Sequence, residues 1–189
     1  AHVKPQHYVV ASGRLPLGVP DDFYAILSES LAGRGVRLAV DSSGPALEEA
    51  LRHGIYLAKP NLQELRYLTG APLERRPDWE EAATELVRSG GAEIALLTMG
   101  EAGAFLASRD LRMRADAVPV KAASAVGAGD SFLAAMIWRL ASGDAPEVAF
   151  RYAVAAGSNA LLTPGTDLCH RADVERLLGG VRTERLEIG

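Results

Sequence analysis

The chain has 189 residues, of which 48% are hydrophobic and 23% are charged, and its formal net charge is −4. This length can enclose the core of one domain, whereas the negative balance argues against a nucleic-acid partner, because phosphate backbones require clustered Lys and Arg. No apolar run reaches the roughly 20 residues that span a membrane, and a single cysteine excludes an internal disulfide, so we expect a cytoplasmic protein without a membrane partner.

Short apolar runs alternate with longer amphipathic stretches, and Gly or Pro separates most of them. We predict strands at 7–12, 36–41, 55–60 and 93–100, antiparallel β segments at 103–108 and 112–120, and helices at 21–35, 45–54, 61–70, 78–91, 127–142 and 146 to about 161. This alternation predicts an α/β fold, with a mostly parallel sheet covered by helices. We find no repeat and no linker, which favours a single domain over residues 1–189.

Ligands of such sheets collect beyond the carboxyl ends of the strands, and the stretch GAGD at 127–130 opens a helix there. The backbone N–H groups of Gly127, Ala128 and Gly129 would lack partners within the helix and could bind an anion such as a transferring phosphoryl group. Asp130 could then accept a proton from an attacking hydroxyl. The alternative is that the glycines only pack and that Asp130 only complements the helix dipole.

A second motif, KPNLQEL, follows the strand at 55–60. Asn61 and Glu64 would share one side of the first helical turn and could hold a hydrated Mg²⁺ near phosphates, with Lys59 beside them. The same spacing is also that of a helix cap in which Asn61 and Glu64 bind each other's backbone N–H groups, and the motif alone favours this cap.

Two further stretches, TMGEAG and DSSG, give weaker indications of a binding site. In TMGEAG, Thr98 and Gly100 could bind a nucleotide phosphate and Gly103 could form a turn, but both glycines also suit a hairpin. DSSG, residues 41–44, could line a ligand or could simply end a strand and cap a helix. Neither stretch decides between a binding site and a structural turn.

In chain order, these pieces resemble the PfkB group of ribokinase-like sugar kinases. SAVGAGDSFLAAM is similar to that family's C-terminal signature, KPNLQEL to its Lys-Pro-Asn-x-x-Glu motif and ASGRLPLG to its Ser-Gly-Ser-Leu-Pro-x-Gly loop. DSSGPAL and AAGSNALLTPGTDLC resemble the minor-type ATP-dependent 6-phosphofructokinases and their 1-phosphofructokinase and tagatose-6-phosphate kinase relatives. The resemblance covers nearly the whole chain and implies a ribokinase-like, three-layer α/β/α fold.

The resemblance also implies a role for each motif in ATP-dependent phosphoryl transfer to a sugar phosphate. Asp130 becomes the general base and Gly127, Ala128 and Gly129 the anion hole. The resemblance assigns ATP binding to Lys59, Asn61, Thr98, Gly100, Gly103, Gly157 and Asn159, of which the last two would border the adenine side. It assigns sugar-phosphate binding to Ser12, Gly13, Arg14 and Asp130. Mg²⁺ would be organised through water by Asn61 and Glu64, and a monovalent cation such as K⁺ would be bound at Ser124, Val126 and Gly165.

The sequence departs from the family pattern in three ways. Arg14 replaces the loop serine that contacts the sugar phosphate, and Ala125 replaces the usual Thr before the anion hole. The family's N-terminal part, with its first strands, sugar-binding Asp, Gly-Gly motif and lid, has no counterpart, so we expect the chain to be the C-terminal portion of such a kinase.

The expected acceptor is fructose 6-phosphate. The alternatives are fructose 1-phosphate, tagatose 6-phosphate, a free sugar, or a nucleotide-binding remnant without turnover. A homodimer is expected of the full-length form.

Overall fold

The computed structural model of the protein describes residues 4–120, 124–162 and 169–188. The strands within these ranges are β1 (Tyr8–Ser12), β2 (Arg37–Asp41), β3 (Ile55–Ala58), β4 (Ala92–Thr98), β5 (Ala104–Ser108), β6 (Arg112–Ala115) and β7 (Thr183–Leu186). The helices are α1 (Phe23–Leu31), α2 (Pro45–His53), α3 (Leu62–Thr69), α4 (Arg76–Arg88), α5 (Ala128–Ala141), α6 (Pro146–Ala160) and α7 (Arg171–Leu178). A 3₁₀ turn spans Gly100–Ala102.

The strands are ordered in the sheet as they are in the chain, from β1 to β7. The pairs β1–β2, β2–β3 and β3–β4 are parallel, with Ser12 opposite Asp41 and Val40 opposite Ala58. The segments between β4 and β5 and between β5 and β6 are too short for a parallel crossover, so these strands are antiparallel neighbours, as predicted.

Contacts divide the chain into two compact units. The first comprises Ala1–Thr98, Phe105–Arg112 and Ile188–Gly189. Its core lies where α1 and α2 pack against the apolar strands, around side chains such as Leu38, Val40 and Leu47. These strands are nearly continuous runs of buried residues, as expected for parallel strands that are covered on both faces.

The second unit comprises Met99–Ala104 and Met113–Glu187. Its centre is the pair of helices α5 and α6, which pack closely through Phe132 and Phe150, whose rings meet edge to face at 6.2 Å. Helix α7 packs on α6, and Arg114 of β6 forms an ion pair with Glu184 of β7.

The predicted strands and helices are confirmed, with boundaries that differ by a few residues. Helix α7 and strand β7 were not predicted, and they lie in a short, strongly charged segment. The division into two units does not test the prediction of a single catalytic domain over residues 1–189. No helix among the described residues is long and apolar enough to cross a membrane.

Candidate active site

In the first unit, the carboxyl ends of β1 to β4 carry a group of polar residues that we call the strand-end cluster. Its members are Ser12, Gly13, Asp41, Ser42, Lys59, Asn61, Glu64 and Thr98. Parallel pairing brings them together, because Ser12 is opposite Asp41 and Asn61 forms a bridge with Thr98. The expectation that ligand-binding residues gather at this edge is therefore supported by the topology.

Asp41 and Lys59 form the electrostatic centre of this cluster. The Lys59 ammonium lies 3.1 Å from a carboxylate oxygen of Asp41, and the two side chains are only 6% and 16% exposed. Removing two charges from water costs several kcal/mol per ion. A largely buried ion pair is therefore expected only where its geometry is favourable or where the charges serve a function. Lys59, predicted to face ATP phosphates, is thus held at the strand ends by a carboxylate.

Asn61 and Glu64 form the helix cap that the motif alone favoured. The Glu64 N–H donates to Asn61 Oδ1 at 2.9 Å, and the Asn61 N–H donates to Glu64 Oε2 at 2.8 Å. This reciprocal pair satisfies two backbone donors at the start of α3. Each acceptor oxygen can take a second interaction, so the cap and a role near Mg²⁺ are compatible, and the metal role stays a prediction.

The environment of Glu64 suits a cation. Burial raises the pKa of its carboxyl above the usual value, and Asp41 raises it further, while the hydrogen bond with Asn61 and the charge of Lys59 lower it. The carboxylates of Glu64 and Asp41 outnumber the single ammonium of Lys59, which leaves an excess of negative charge. No group of three His, Cys, Asp or Glu side chains within the described ranges could hold a metal ion.

The loop after β1 is fastened to the same cluster. The Gly13 N–H donates to the Asp41 carbonyl at 2.9 Å, while the Ser42 and Tyr24 hydroxyls donate to the Gly13 carbonyl at 2.9 and 3.3 Å. Gly13 has φ +94°, where a side chain would be strained. Ser12 and Arg14, which are also predicted to bind the sugar phosphate, are exposed on either side of it.

The TMGEAG residues differ in their surroundings. Thr98 ends β4, and its N–H donates to the Pro60 carbonyl at 3.1 Å. In the second unit, Gly100 has φ +59° and a Cβ added to it would meet open space, whereas a Cβ on Gly103 would overlap the Ala115 carbonyl oxygen. Gly103 therefore has a structural reason to be glycine, and Gly100 leaves the backbone accessible to a ligand.

The second unit carries the entrance to α5, which comprises Gly127 to Asp130. Gly127 is the N-cap with φ +79°, and no side chain from the described ranges caps the helix. The first N–H groups of the helix have no partner within it, and the helix dipole adds partial positive charge. Both properties are what an anion hole requires. Asp130 lies exposed in the first turn, and Gly127 to Gly129 are partly exposed, so the anion hole and the base stay predictions.

Residues predicted for a monovalent cation lie only partly within the described chain. The Val126 N–H donates to Ser124 Oγ at 3.2 Å, and the Ser124 N–H donates to the Leu161 carbonyl at 3.3 Å. Gly165 lies outside the described residues. The cation site therefore stays a prediction.

Helix α6 carries the residues predicted to border adenine. A Cβ on Gly157 would lie 3.3 Å from both the Ala128 carbonyl oxygen and Phe132 Cβ, so this glycine lets α6 approach the start of α5 closely. Asn159 is 3% exposed, and its Oδ1 has no hydrogen-bond partner in the part of the chain that the structure describes. A buried amide oxygen without a donor is costly, which supports a ligand donor at this position.

No role was assigned to Asp41, Ser42 or Tyr24 in the sequence analysis. Asp41 and Ser42 belong to DSSG, which could line a ligand or form a turn and a helix cap, and Tyr24 was not considered. The available signal for Asp41 was an acid directly after an apolar strand, at the edge where ligands collect. Nothing in the sequence links Tyr24 or Ser42 to Gly13, because that contact depends on the packing of α1 and β2.

Comparison with known proteins supports the resemblance read from the motifs. ATP-dependent 6-phosphofructokinase isozyme 2 of Mycobacterium tuberculosis is 38% identical over 182 residues, which cover 96% of this chain and 53% of that protein. The crystal structure of Escherichia coli phosphofructokinase-2 in complex with potassium matches with a TM-score of 0.89 at 38% identity, over 93% of this chain and 57% of that one. The chain thus spans about half the length of these relatives.

A ribokinase from Arabidopsis thaliana matches with a TM-score of 0.74 at 24% identity, over 90% of this chain and 55% of that one, and this likeness concerns the fold alone. The predicted ribokinase-like α/β fold is confirmed. The model of the pfkB family of carbohydrate kinases matches residues 1–173. The strand-end cluster and the glycine entrance to α5 are therefore parts of a chain that belongs to the pfkB carbohydrate kinase family.

Proposed function

We propose that this protein transfers a phosphoryl group from ATP to a hydroxyl of a sugar phosphate, with fructose 6-phosphate as the first expected acceptor. The observation that carries the proposal is the entrance to α5, where Gly127 is the N-cap, no described side chain caps the helix, and Asp130 is exposed. Such an entrance provides N–H donors for an anion and a carboxylate next to them.

In the proposed reaction, the acceptor hydroxyl oxygen forms a bond to the γ-phosphorus while the bond from that phosphorus to the ADP oxygen breaks. The hydroxyl proton passes to Asp130. The N–H groups of Gly127, Ala128 and Gly129 stabilise the charge on the moving phosphoryl group, so catalysis consists mainly of positioning and electrostatic stabilisation.

The remaining assignments follow the family resemblance. Lys59, Asn61, Thr98 and Gly100 serve the ATP phosphates, and Asn159 accepts a hydrogen bond on the adenine side. Glu64 and Asn61 would hold Mg²⁺ through water, and the ion would neutralise phosphate charge. The two carboxylates of Glu64 and Asp41 beside the single ammonium of Lys59 support this. K⁺ at Ser124 and Val126, a homodimeric full-length form and a cytoplasmic location are parts of the same proposal.

Two other possibilities share the same residues. The acceptor could be fructose 1-phosphate or tagatose 6-phosphate, or the chain could bind nucleotide without turnover. A coupled assay of ADP release, run with each sugar phosphate and with fructose, separates these possibilities. Release that depends on a sugar phosphate supports the proposal, and ADP binding by calorimetry without release with any acceptor contradicts it in favour of the remnant.

A further inference from the structure

Helix α6 contains a glycine that its own backbone does not require. Gly157 lies in the last turn of α6, which continues to Ala160 and has Leu161 as its C-cap, and its φ lies outside the left-handed region. Glycine is the poorest helix former among the residues other than proline. A glycine with ordinary helical backbone inside a helix therefore indicates that something approaches it closely.

The element that approaches Gly157 is the first turn of α5. A Cβ built on Gly157 would lie 3.3 Å from the Ala128 carbonyl oxygen, 3.3 Å from Phe132 Cβ and 3.5 Å from Phe132 Cδ2. These three nearest atoms all belong to α5, and the two shorter distances are tighter than most Cβ contacts in proteins. The absence of a side chain at Gly157 thus serves the contact between the two helices.

The carbonyl that α6 approaches belongs to a peptide of the predicted anion hole. The Ala128 carbonyl and the Gly129 N–H are parts of one planar peptide group, so a shift or rotation of the oxygen also moves the N–H. The Gly129 N–H lies in the first turn of α5, where N–H groups have no partner within the helix. Contact with α6 at Ala128 therefore limits the directions in which the Gly129 N–H can point.

Two further observations concern this junction of α5 and α6. The rings of Phe132 and Phe150 are buried and meet edge to face at 6.2 Å, so the helices are also joined by side chains. Asn159, two residues after Gly157, is 3% exposed, and its Oδ1 has no hydrogen-bond partner among the described residues. Because an unpaired buried oxygen is costly, Asn159 independently supports a ligand group near this end of α6.

We propose that Gly157 is a positioning residue for phosphoryl transfer, because its lack of a side chain lets α6 hold the peptide between Ala128 and Gly129 with the Gly129 N–H directed at the γ-phosphoryl group. The inference rests on the proposed function, which supplies that group. It gives Gly157 a role in the geometry of the anion hole, in place of the contact with adenine that the family resemblance implies. Donors that are fixed before the ligand arrives need no reorganisation during the reaction.

The experiment compares the affinities of the chain for ADP and for a non-hydrolysable ATP analogue with a β,γ-imido group, each with Mg²⁺, by calorimetry. The ratio of the two affinities reports the contribution of the γ-phosphoryl group. In Gly157→Ala, the Ala128 carbonyl must shift by a few tenths of an ångström. We expect the preference for the analogue to fall about three- to ten-fold, because anion binding depends on correctly placed donors, while the affinity for ADP is unchanged.

Two control variants separate positioning from stability. Gly179→Ala makes the same substitution in the same unit, where an added Cβ meets open space, and should change neither affinity. Phe150→Leu removes the ring that packs on Phe132 without adding an atom near Ala128, so it should lower the thermal midpoint and leave the affinity ratio unchanged. An equal fall of the ratio in Phe150→Leu would overturn the positioning role, since loss of stability alone would then explain it.

A second variant covers the case in which Gly157→Ala does not fold. Phe132→Leu replaces the ring whose Cδ2 also lies near the added Cβ, so the double variant Gly157→Ala with Phe132→Leu relieves that contact and keeps the one at Ala128. Compared with Phe132→Leu alone, the double variant should show the same fall in the ratio. In NMR spectra, the analogue should shift the Gly129 amide signal of the unmodified chain, and an amide signal that does not move overturns the inference.

The outcomes also separate this inference from the proposed function. An unchanged ratio in Gly157→Ala, where the unmodified chain prefers the analogue, overturns the inference and leaves the anion hole intact. A fall in the affinity for ADP as well assigns Gly157 to the rest of the nucleotide and overturns the inference. An unmodified chain that binds both nucleotides equally, or neither, overturns the inference and the anion hole together. If the ratio falls as expected but no sugar phosphate supports ADP release, the inference holds and the proposed kinase function fails.

Discussion

The Lys59 ammonium lies 3.1 Å from an Asp41 carboxylate oxygen, and these two largely buried side chains join the carboxyl ends of β3 and β2. Asp41 also receives the Gly13 N–H on its backbone carbonyl. One residue thus connects the loop that carries Arg14 with the lysine predicted to serve ATP.

Breaking this ion pair should destabilise the first unit strongly. Lys59→Met removes the ammonium that balances the largely buried Asp41 carboxylate, and the expected loss is about 3–5 kcal/mol of unfolding free energy. The double variant Lys59→Met with Asp41→Leu should recover most of that loss, because no charge is left buried. Urea unfolding followed by circular dichroism measures the unmodified chain, Lys59→Met, Asp41→Leu and the double variant, and single losses that simply add in the double variant would contradict the importance of the pair.

Glu64 variants should separate its capping role from its proposed metal role. Glu64→Gln keeps an oxygen that accepts the Asn61 N–H, so both bonds of the cap remain. Glu64→Ala removes only this bond, since Asn61 Oδ1 still accepts the backbone N–H of residue 64, and should cost about 1 kcal/mol. If Glu64 also organises Mg²⁺, both variants should raise the Mg²⁺ concentration needed for half-maximal ADP release. A normal Mg²⁺ dependence in Glu64→Gln would limit Glu64 to the cap.

The raised pKa of Glu64 predicts that folding stability depends on pH. Because burial raises the pKa of Glu64 in the folded chain, folding favours its protonated form, and this contribution is lost as pH rises through the folded pKa. Glu64→Gln does not titrate, so its stability relative to the unmodified chain should increase from acidic to neutral pH. Thermal midpoints across this range measure the difference, and a constant difference would show that burial does not control this carboxyl.

Gly100 and Gly103 should respond differently to the same substitution. Gly100→Ala places a Cβ in open space at φ +59° and should cost about 1 kcal/mol. Gly103→Ala forces a Cβ into the backbone at Ala115 and, 2.9 Å away, the Ala117 nitrogen, so we expect a loss of about 3 kcal/mol. Denaturant midpoints compare the two variants directly. Equal losses of unfolding free energy would show that the backbone at Ala115 can shift at little cost.

Asp130→Asn should remove phosphoryl transfer without unfolding the protein. The side chain is exposed, so stability and ADP affinity should change little, while ADP release falls by about 10²- to 10⁴-fold through loss of the base. Asp21→Asn, an exposed acid in the first unit, is the control and should retain activity. Wild-type rates in Asp130→Asn would refute the base assignment.

Sequence patterns were sufficient to predict most strands and helices, because these elements depend on residues that are close together in the chain. Continuous apolar runs such as VRLAVD and IYLAKP mark strands buried on both faces, and glycines such as Gly54 and Gly70 end helices. Helix α7 and strand β7 escaped prediction because both are short and rich in charged residues. Each packs on a neighbour that the local sequence does not show, since α7 lies on α6 and Glu184 of β7 pairs with Arg114 of β6. The helix cap formed by Asn61 and Glu64 could also be predicted, since it involves residues that are three positions apart.

The sequence by itself determined the α/β alternation, the glycine entrance before Asp130 and the family resemblance, because each depends on residues close together in the chain. Only the tertiary structure decided that Asp41 pairs with Lys59 and that Tyr24 and Ser42 fasten Gly13. These contacts join residues up to 29 positions apart, and they exist because parallel pairing aligns strand ends that no local pattern can bring into register.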